Sequence, residues 1–387
     1  MAFFRNSTVN LLNLHYGIHA LALSGGGAFW GVFLLRAGVP APFVLASLAL
    51  ILAGRFAIRP SIVIAARRFG LKPLVIGGAL ICCLQYPILA EVHGVGWRLL
   101  ALIAISAVGD TIYWTSYHAY FASLGDAEHR GHQIGAREAI AAVVGIVGPL
   151  VGGWALTTLG PRIAFDVTAL VLALSALPLL GARNVAIARD EPGGFRAGLQ
   201  GFLLFAGDGW IQAGFSFVWP LALFISLGES FNAFGGAMAL AALVGAVSGL
   251  LLGRFIDAGH GARAVWIGIG TLAAVIVLRA LSTRNPAMAV IANAAGAFVP
   301  ALYTPTLMTA VYNQAQAAPC VLRFHVATEG GYDAGAACGL MVAAGLLWAG
   351  APIAVGVLLA LLGAAANFAL LRRYYGRMGA MAAVSAP

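Results

Sequence analysis

Two carboxylates and an imidazole sit where the sequence is otherwise apolar enough to cross a bilayer. Asp208 interrupts LLFAGDGWIQ at Leu203–Gln212, Asp110 is the central charge of the run from 98 to 121, and His19 lies near the start of the first apolar run. An ionisable group at the bilayer centre costs about 2.5–3.5 kcal/mol on insertion scales, so it takes a partner or faces a water-filled cavity. A carboxyl or imidazole whose access alternates between water and hydrocarbon can take up and release a proton. Asp208 leads a helical face that continues with Gln212, Ser216 and Trp219 and reads as a cavity wall. The competing readings are a hydrogen bond from Asp208 to its neighbours and contact of His19 with interfacial water. Asp110 leads a second face, Tyr113, Trp114, Tyr117 and Phe121, whose aromatic bodies suit an organic substrate. Arg55 lies at a similar depth in the second span, which leaves open a buried ion pair with Asp110 or a clamp for an anionic substrate.

The elements that must hold these residues are membrane helices. Of 387 residues, 61% are hydrophobic and 9% charged, against roughly 25% charged in a soluble domain. Apolar runs punctuated by Pro, Gly and charge predict twelve spans near 11–35, 41–63, 73–90, 98–121, 138–158, 163–181, 199–227, 234–256, 264–281, 286–311, 334–350 and 352–371. The first run continues past the length of a cleavable signal and is read as a helix. With the N-terminus inside, the inner loops collect most of the arginines, and the outer loops hold only Arg36, Arg98, Arg162, Arg279 and Arg284. That asymmetry places both termini in the cytoplasm. The net charge of +9 is then explained by helix-end arginines against lipid phosphate, not by nucleic acid. Fifty glycines imply closely packed helices. Cys82, Cys83, Cys320 and Cys338 have neither metal spacing nor a disulfide framework. No Walker loop, H-E-x-x-H or nucleophile elbow is present, so neither an enzyme nor a cofactor is expected.

The two halves of the chain echo each other. SGGGAFW at Ser24–Trp30 lies over AGFSFVW at Ala213–Trp219, and HRGH at His129–His132 lies over LRFH at Leu322–His325 with nearly the same shift. The expected fold is an all-α integral membrane protein of twelve transmembrane helices, arranged as two parallel six-helix halves around a central cavity. The halves are read as 1–182 and 199–387, with a cytoplasmic central loop at 183–198.

Three further segments carry a family resemblance. GRFIDAGHGAR at Gly253–Arg263 looks like a G-x-x-x-D loop, with Gly253 and Asp257 in the key places. RRFGLKP at Arg67–Pro73 looks like its first-half copy, with Val63 and Arg67 where Gly and Asp would stand. GPLVGG at Gly148–Gly153 is similar to the G-P-x-x-G-G part of an antiporter motif, with Val144 in the place of the upstream Gly. With twelve spans and a central loop, the chain resembles the major facilitator superfamily over essentially its whole length. The resemblance implies that the first and seventh helices line the cavity, placing His19 opposite Asp208 and Trp30 at the position corresponding to Trp219. It implies gating roles for Gly253, Arg254 and Asp257, and for Gly148 and Pro149. The fourth-span Arg typical of drug:proton antiporters is missing, with Ile105 near its place.

Arg137 and Glu138 open the fifth span, and Glu329 and Asp333 are expected to precede the eleventh; both sets read as gate salt bridges or as solvated helix-end charges. Asn293, Pro300, Tyr303, Thr304 and Pro305 mark an interrupted tenth helix that serves gating, cavity lining or packing. The expected function is secondary active transport by alternating access, foremost proton-coupled efflux of a small amphipathic organic compound. Its rivals are proton-coupled uptake of a small metabolite or organic anion, and a non-transporting membrane sensor or scaffold. The expected partners are a small-molecule substrate, protons and the lipid bilayer, for a monomer in a bacterial inner membrane.

Overall fold

In hydrocarbon every backbone N–H and C=O must be satisfied internally, so long apolar runs close their hydrogen bonds as helices. The computed structural model describes residues 7–124, 130–186, 198–256, 261–318 and 321–385, without side chains at 122, 130–138, 252–256, 261–262, 321–323 and 379–385. Among the described residues twelve helices are long and apolar enough to span a bilayer: α1 Ser7–Arg36, α2 Ala41–Phe69, α3 Leu71–Ala90, α4 Trp97–Phe121, α5 Ala139–Thr158 and α6 Pro161–Leu180, then α7 Leu199–Ser226, α8 Phe231–Leu251, α9 Arg263–Ser282, α10 Pro286–Ala317, α11 Phe324–Trp348 and α12 Ile353–Met378.

Two expectations are corrected. The eleventh span begins ten residues earlier than its hydropathy suggested, so Glu329 and Asp333 lie within α11 rather than before it, and Asp333 is fully buried. Arg279 belongs to the last turn of α9, not to an outer loop, and is only 4% exposed. In both places a charged residue made the sequence look like a loop, whereas packing against a neighbouring helix removes it from lipid.

The duplicated segments are also the places where α1 and α7 depart from regular helix. In α1 a 3-10 turn at Gly27–Phe29 separates Ser7–Gly25 from Trp30–Arg36. In α7 a π-helical stretch at Ala213–Val218 separates Leu199–Gln212 from Trp219–Ser226. Each irregular stretch runs into a buried tryptophan, Trp30 or Trp219. The tenth helix breaks between Gly296 and Val299, ahead of Pro300.

By packing, the chain divides into a unit of residues 1–191 with 227–243 and a unit of residues 192–226 with 244–387. Within the first, α1 packs on α5 and α6, and α4 on α2 and α3. Within the second, most of these pairings recur six helices later, α7 on α11 and α12, and α10 on α9. Residues 227–243 belong to the first unit because glycines admit them: a Cβ on Gly153 would stand 2.6 Å from the Phe231 carbonyl oxygen, and one on Gly235 2.2 Å from that of Pro149.

The α2–α3 loop, whose sequence departs from the G-x-x-x-D pattern, instead fastens the chain that follows α6. The protein's one lysine, Lys72, donates through Nζ to the carbonyls of Leu180 at 2.8 Å and Ala182 at 2.9 Å. Leu71 N–H donates to the Val185 carbonyl, and the Asn184 side chain donates to the Phe69 carbonyl and accepts from Lys72 N–H. A cation over the last carbonyls of α6 is the favourable arrangement for a helix C-terminus.

Candidate functional site

Asp208 stands in the regular first part of α7, where α10, α11 and α12 all pack. Side-chain hydrogen bonds join it to Tyr303 of α10 and to Gln212 one turn along its own helix, while its Oδ1 is buried without a partner. The donors can be ordered. The Asn367 amide of α12 donates to the Tyr303 hydroxyl oxygen at 2.7 Å, so the Tyr303 hydrogen is free to point at the carboxylate. Ser216 Oγ donates to Gln212 Oε1 at 2.5 Å, which leaves the Gln212 amide N–H for Asp208. Two chains of donors therefore converge on one carboxylate, and the second begins at an exposed residue, Ser216. No cation contacts Asp208 among the described residues.

A second assembly of this unit surrounds the π-helical stretch of α7. A π turn leaves a backbone carbonyl without its usual partner, and here Arg279 Nη1 donates to the Phe215 carbonyl at 2.8 Å. The guanidinium lies 3.9 Å from the Phe215 ring centroid and 5.0 Å from that of Trp219, and Trp219 Nε1 donates to Asn293 Oδ1 at 3.0 Å. Gly296 makes room, since a Cβ there would be 1.9 Å from Arg279 Nη2. Gly296→Ala is expected to displace the guanidinium and cost about 1–3 kcal/mol, the usual penalty of overpacking. A melting curve of the purified protein checks this, and most of the loss should vanish in an Arg279→Ala background, as coupled neighbours require.

In the first unit, His19 is buried in an aromatic stack rather than at the interface with water. Its ring lies face to face with Tyr113 at 4.0 Å and 8°, edge-on to Trp114 at 5.7 Å, and its Nδ1 is buried without a hydrogen bond. His15, one turn earlier, is equally buried: Nδ1 lies 2.6 Å from the Ser175 carbonyl and Nε2 2.9 Å from the Tyr113 hydroxyl. A carbonyl can only accept, so Nδ1 carries the hydrogen and a neutral His15 accepts from Tyr113 at Nε2. Tyr113 and Tyr117 are buried in this stack, which leaves Trp114 and the exposed His118 stacked on it as its accessible edge.

Asp110 accepts from Cys82 Sγ at 3.4 Å, and Arg55 acts electrostatically on the same thiol, so these three residues of α2, α3 and α4 share one neighbourhood. Arg59, one turn after Arg55, is buried and donates to Thr115 Oγ1 at 3.1 Å. GPLVGG is a packing surface: a Cβ on Gly148 would stand 2.6 Å from that of Ser24, and one on Gly152 1.8 Å from the Gly25 carbonyl oxygen. It holds α5 against α1 just before the 3-10 turn. At the end of this unit where α1 and α3 finish, Arg36 pairs with Glu229 at 3.6 Å and Arg162 with Glu91 at 3.9 Å, exposed pairs of small energetic weight.

The gate residues of the second-half loop motif, Gly253, Arg254 and Asp257, and the fifth-span pair Arg137 and Glu138 lie outside the described side chains. The sequence reading missed Asn367, Arg279 as a buried group, Arg59 and His15. For His15 the signal was present, an i, i+4 pair with His19 on one helix face; for Asn367 it was a single amide in the apolar run AAANFAL.

Comparison with known proteins gives one family and a fold. The model of the Major Facilitator Superfamily matches residues 57–199. No curated protein matches the chain. Among solved structures, the chain is similar to an auto-inhibited POT family peptide transporter at 14% identity and TM-score 0.67, covering 96% of this chain and 97% of that one. The POT family transporter PepTSo matches at 12% identity and TM-score 0.71, over 96% and 99%. The human organic anion transporter MFSD10 (TETRAN) matches at 15% identity and TM-score 0.63, over 94% and 99%. The family model thus matches residues 57–199, and the fold of these solved structures is shared along nearly the whole chain.

Proposed function

We propose that the chain is a proton-coupled secondary transporter working by alternating access, that Asp208 is its proton site, and that it exports a small amphipathic organic compound. The observation that carries the reading is the convergence of Tyr303 and Gln212 on a carboxylate that has no cation beside it. Placing an ionisable group in a membrane helix without a counter-charge is costly. The cost is offset where the group must change its charge during the cycle, and a carboxyl held by donors that stay in place does so with little rearrangement. The accessible aromatic edge at Trp114 and His118, with Tyr16 stacked on Tyr117, supplies apolar and π contact for an organic solute. Gly148 and Pro149 belong to the gating elements in this reading, because they hold α5 against the irregular part of α1.

Proton-coupled uptake of an organic anion is the second reading. It rests on Arg55 and Arg59, two guanidinium groups one turn apart on α2 that suit carboxylate or phosphate recognition. A bacterial inner membrane, cytoplasmic termini and a monomeric state complete the proposal.

Sealed inverted vesicles with an imposed pH gradient test it, challenged in turn with cationic, anionic and neutral compounds. Efflux by antiport predicts that at least one cationic or neutral amphipathic compound collapses the gradient, and that vesicles without the protein do not respond. Gradient-driven loss of an anion from the lumen to the medium would favour the uptake reading. A panel in which no compound moves protons or is moved by them excludes both.

A further inference from the structure

The hydrogen-bond chain that ends on Asp208 can run in only one direction while that residue is a carboxylate. A carboxylate accepts and does not donate, so Tyr303 must donate to it and Asn367 must donate to Tyr303. This direction leaves Asn367 Oδ1 buried with no hydrogen bond, and the fully buried Asn367 thus carries an unused acceptor beside the donor it employs.

Protonation of Asp208 breaks that order. A proton on Oδ1 would have nothing to donate to, because this oxygen is buried without a partner. A proton on the oxygen shared with Tyr303 is satisfied if Tyr303 accepts it and sends its own hydrogen elsewhere, whereas the other neighbour, Gln212, already has its Oε1 engaged by Ser216. The unused acceptor next to Tyr303 is Asn367 Oδ1, which a half-turn of the amide brings round. Resting on the reading of Asp208 as the proton site, we propose that Asn367 turns over when Asp208 is protonated and reverses the Asn367–Tyr303–Asp208 chain.

The reversal has a mechanical output. Asn367 packs against the backbone of α7, where a Cβ on Gly207 would stand 2.2 Å from Asn367 Oδ1. Turning the amide exchanges an oxygen for an NH2 group at this α7–α12 contact, so the charge on Asp208 is felt by α12 as a change of donor for acceptor. Tyr303, on the piece of α10 between the 296–299 break and Pro305, transmits the same change to α10. The titratable groups that packed elements bring near this level are Tyr303 from α10 and Glu329, Tyr332, Asp333 and Cys338 from α11, while those of α12 begin at Arg372. Of these, Tyr303 is the one that bears on the Asp208 carboxyl among the described residues.

Dicyclohexylcarbodiimide, which modifies protonated carboxyls in apolar surroundings, measures the reversal without a known substrate. The full-length protein is labelled across a pH series, Asp208 adducts are counted by mass spectrometry, and each variant is normalised to its own acid plateau so that reagent access cancels. Asn367→Leu removes the acceptor that protonated Asp208 needs and leaves the Tyr303 bond to the carboxylate, so labelling at neutral pH should fall about tenfold, the cost of one buried unpaired donor. Tyr303→Phe removes the donor to the carboxylate together with the acceptor for the acid and cuts Asn367 off from Asp208, so adding Asn367→Leu to it should change labelling no further. Asn367→Ser, whose hydroxyl both donates and accepts, should label like wild type. Asn367→Ala serves as the second acceptor-free variant should leucine not fit against Gly207. If Asn367 only donates, losing it weakens the support of the carboxylate and labelling rises; raised or unchanged labelling in the acceptor-free variant overturns the reversal alone. Absence of Asp208 adducts from wild type at every pH overturns the proton-site reading and the reversal with it.

Discussion

Asp208→Asn is expected to abolish proton-coupled movement of solute while leaving the protein folded. The amide has nearly the shape of the carboxyl, and its oxygen can accept from Tyr303 and Gln212, the two groups that hydrogen-bond Asp208. What it lacks is a proton it can exchange. Loss of a positioned proton-transfer group costs about a hundredfold or more in rate, so the compound-driven collapse of the pH gradient should fall at least that far. Stability should change little, because removing a charge from a membrane helix in which no cation contacts it among the described residues is offset by an amide NH2 placed where Oδ1 has no partner. Asp208→Glu keeps the proton but displaces it from its hydrogen bonds with Tyr303 and Gln212, and should retain partial coupling. The pair of readouts separates two roles. A melting temperature that drops in Asp208→Asn, with coupling intact, would make Asp208 a packing residue and remove it from the mechanism.

The parts of the molecule that were legible in the sequence are those where lipid is the neighbour. Apolar runs long enough to span have to be helices whatever packs against them, and so all twelve were placed. Where protein is the neighbour, the same rule misleads. Residues 324–333 carry His325, Glu329 and Asp333 and read as loop, yet they form the first turns of α11 because α7 covers them. Arg279 reads as a loop cation and is instead the partner of a carbonyl that only a π-helical stretch exposes, and nothing in AGFSFV announces the extra residue in that turn. Asp208 was found because a carboxylate in a span is rare. Spacing put Gln212 on its face and the prolines of α10 marked the helix of Tyr303 as interrupted, but neither the bond from Tyr303 nor Asn367 followed from the sequence. An amide far along the chain is tied to Asp208 only through Tyr303, a contact made by tertiary packing and not by any sequence period. The pairing of His15 with Tyr113 and Ser175 is of the same kind.

Gly335→Leu is expected to yield no folded protein, and Gly335→Ala to lower the yield and melting temperature sharply. The segment that the sequence left partly outside the eleventh span carries glycines at 331, 335 and 339, and each lies on the side of α11 that meets α7. A Cβ at Gly335 would stand 1.9 Å from the Ala206 carbonyl oxygen, and one at Gly331 2.3 Å from that of Phe202. From the other helix, a Cβ at Gly209 would meet the Tyr332 carbonyl oxygen at 2.2 Å. The two backbones touch, which is how helices gain van der Waals energy in a medium that offers no hydrophobic drive between them. These atoms are backbone and cannot step aside as a flexible side chain can. A methyl group must therefore separate the helices, at about 3 kcal/mol or more on the scale of severe overpacking, and it would do so between Ala206 and Gly209, the turn that carries Asp208. Gly345, in the same helix, has open space where its Cβ would be; alanine there should be neutral or stabilise by about 0.5–1 kcal/mol, the ordinary gain over glycine within a helix. Opposite signs for the same substitution ten residues apart, read by size-exclusion profile and thermal unfolding in detergent, would tie the effect to the α7–α11 contact; equal effects at both positions would leave helix propensity as the explanation and refute the close approach.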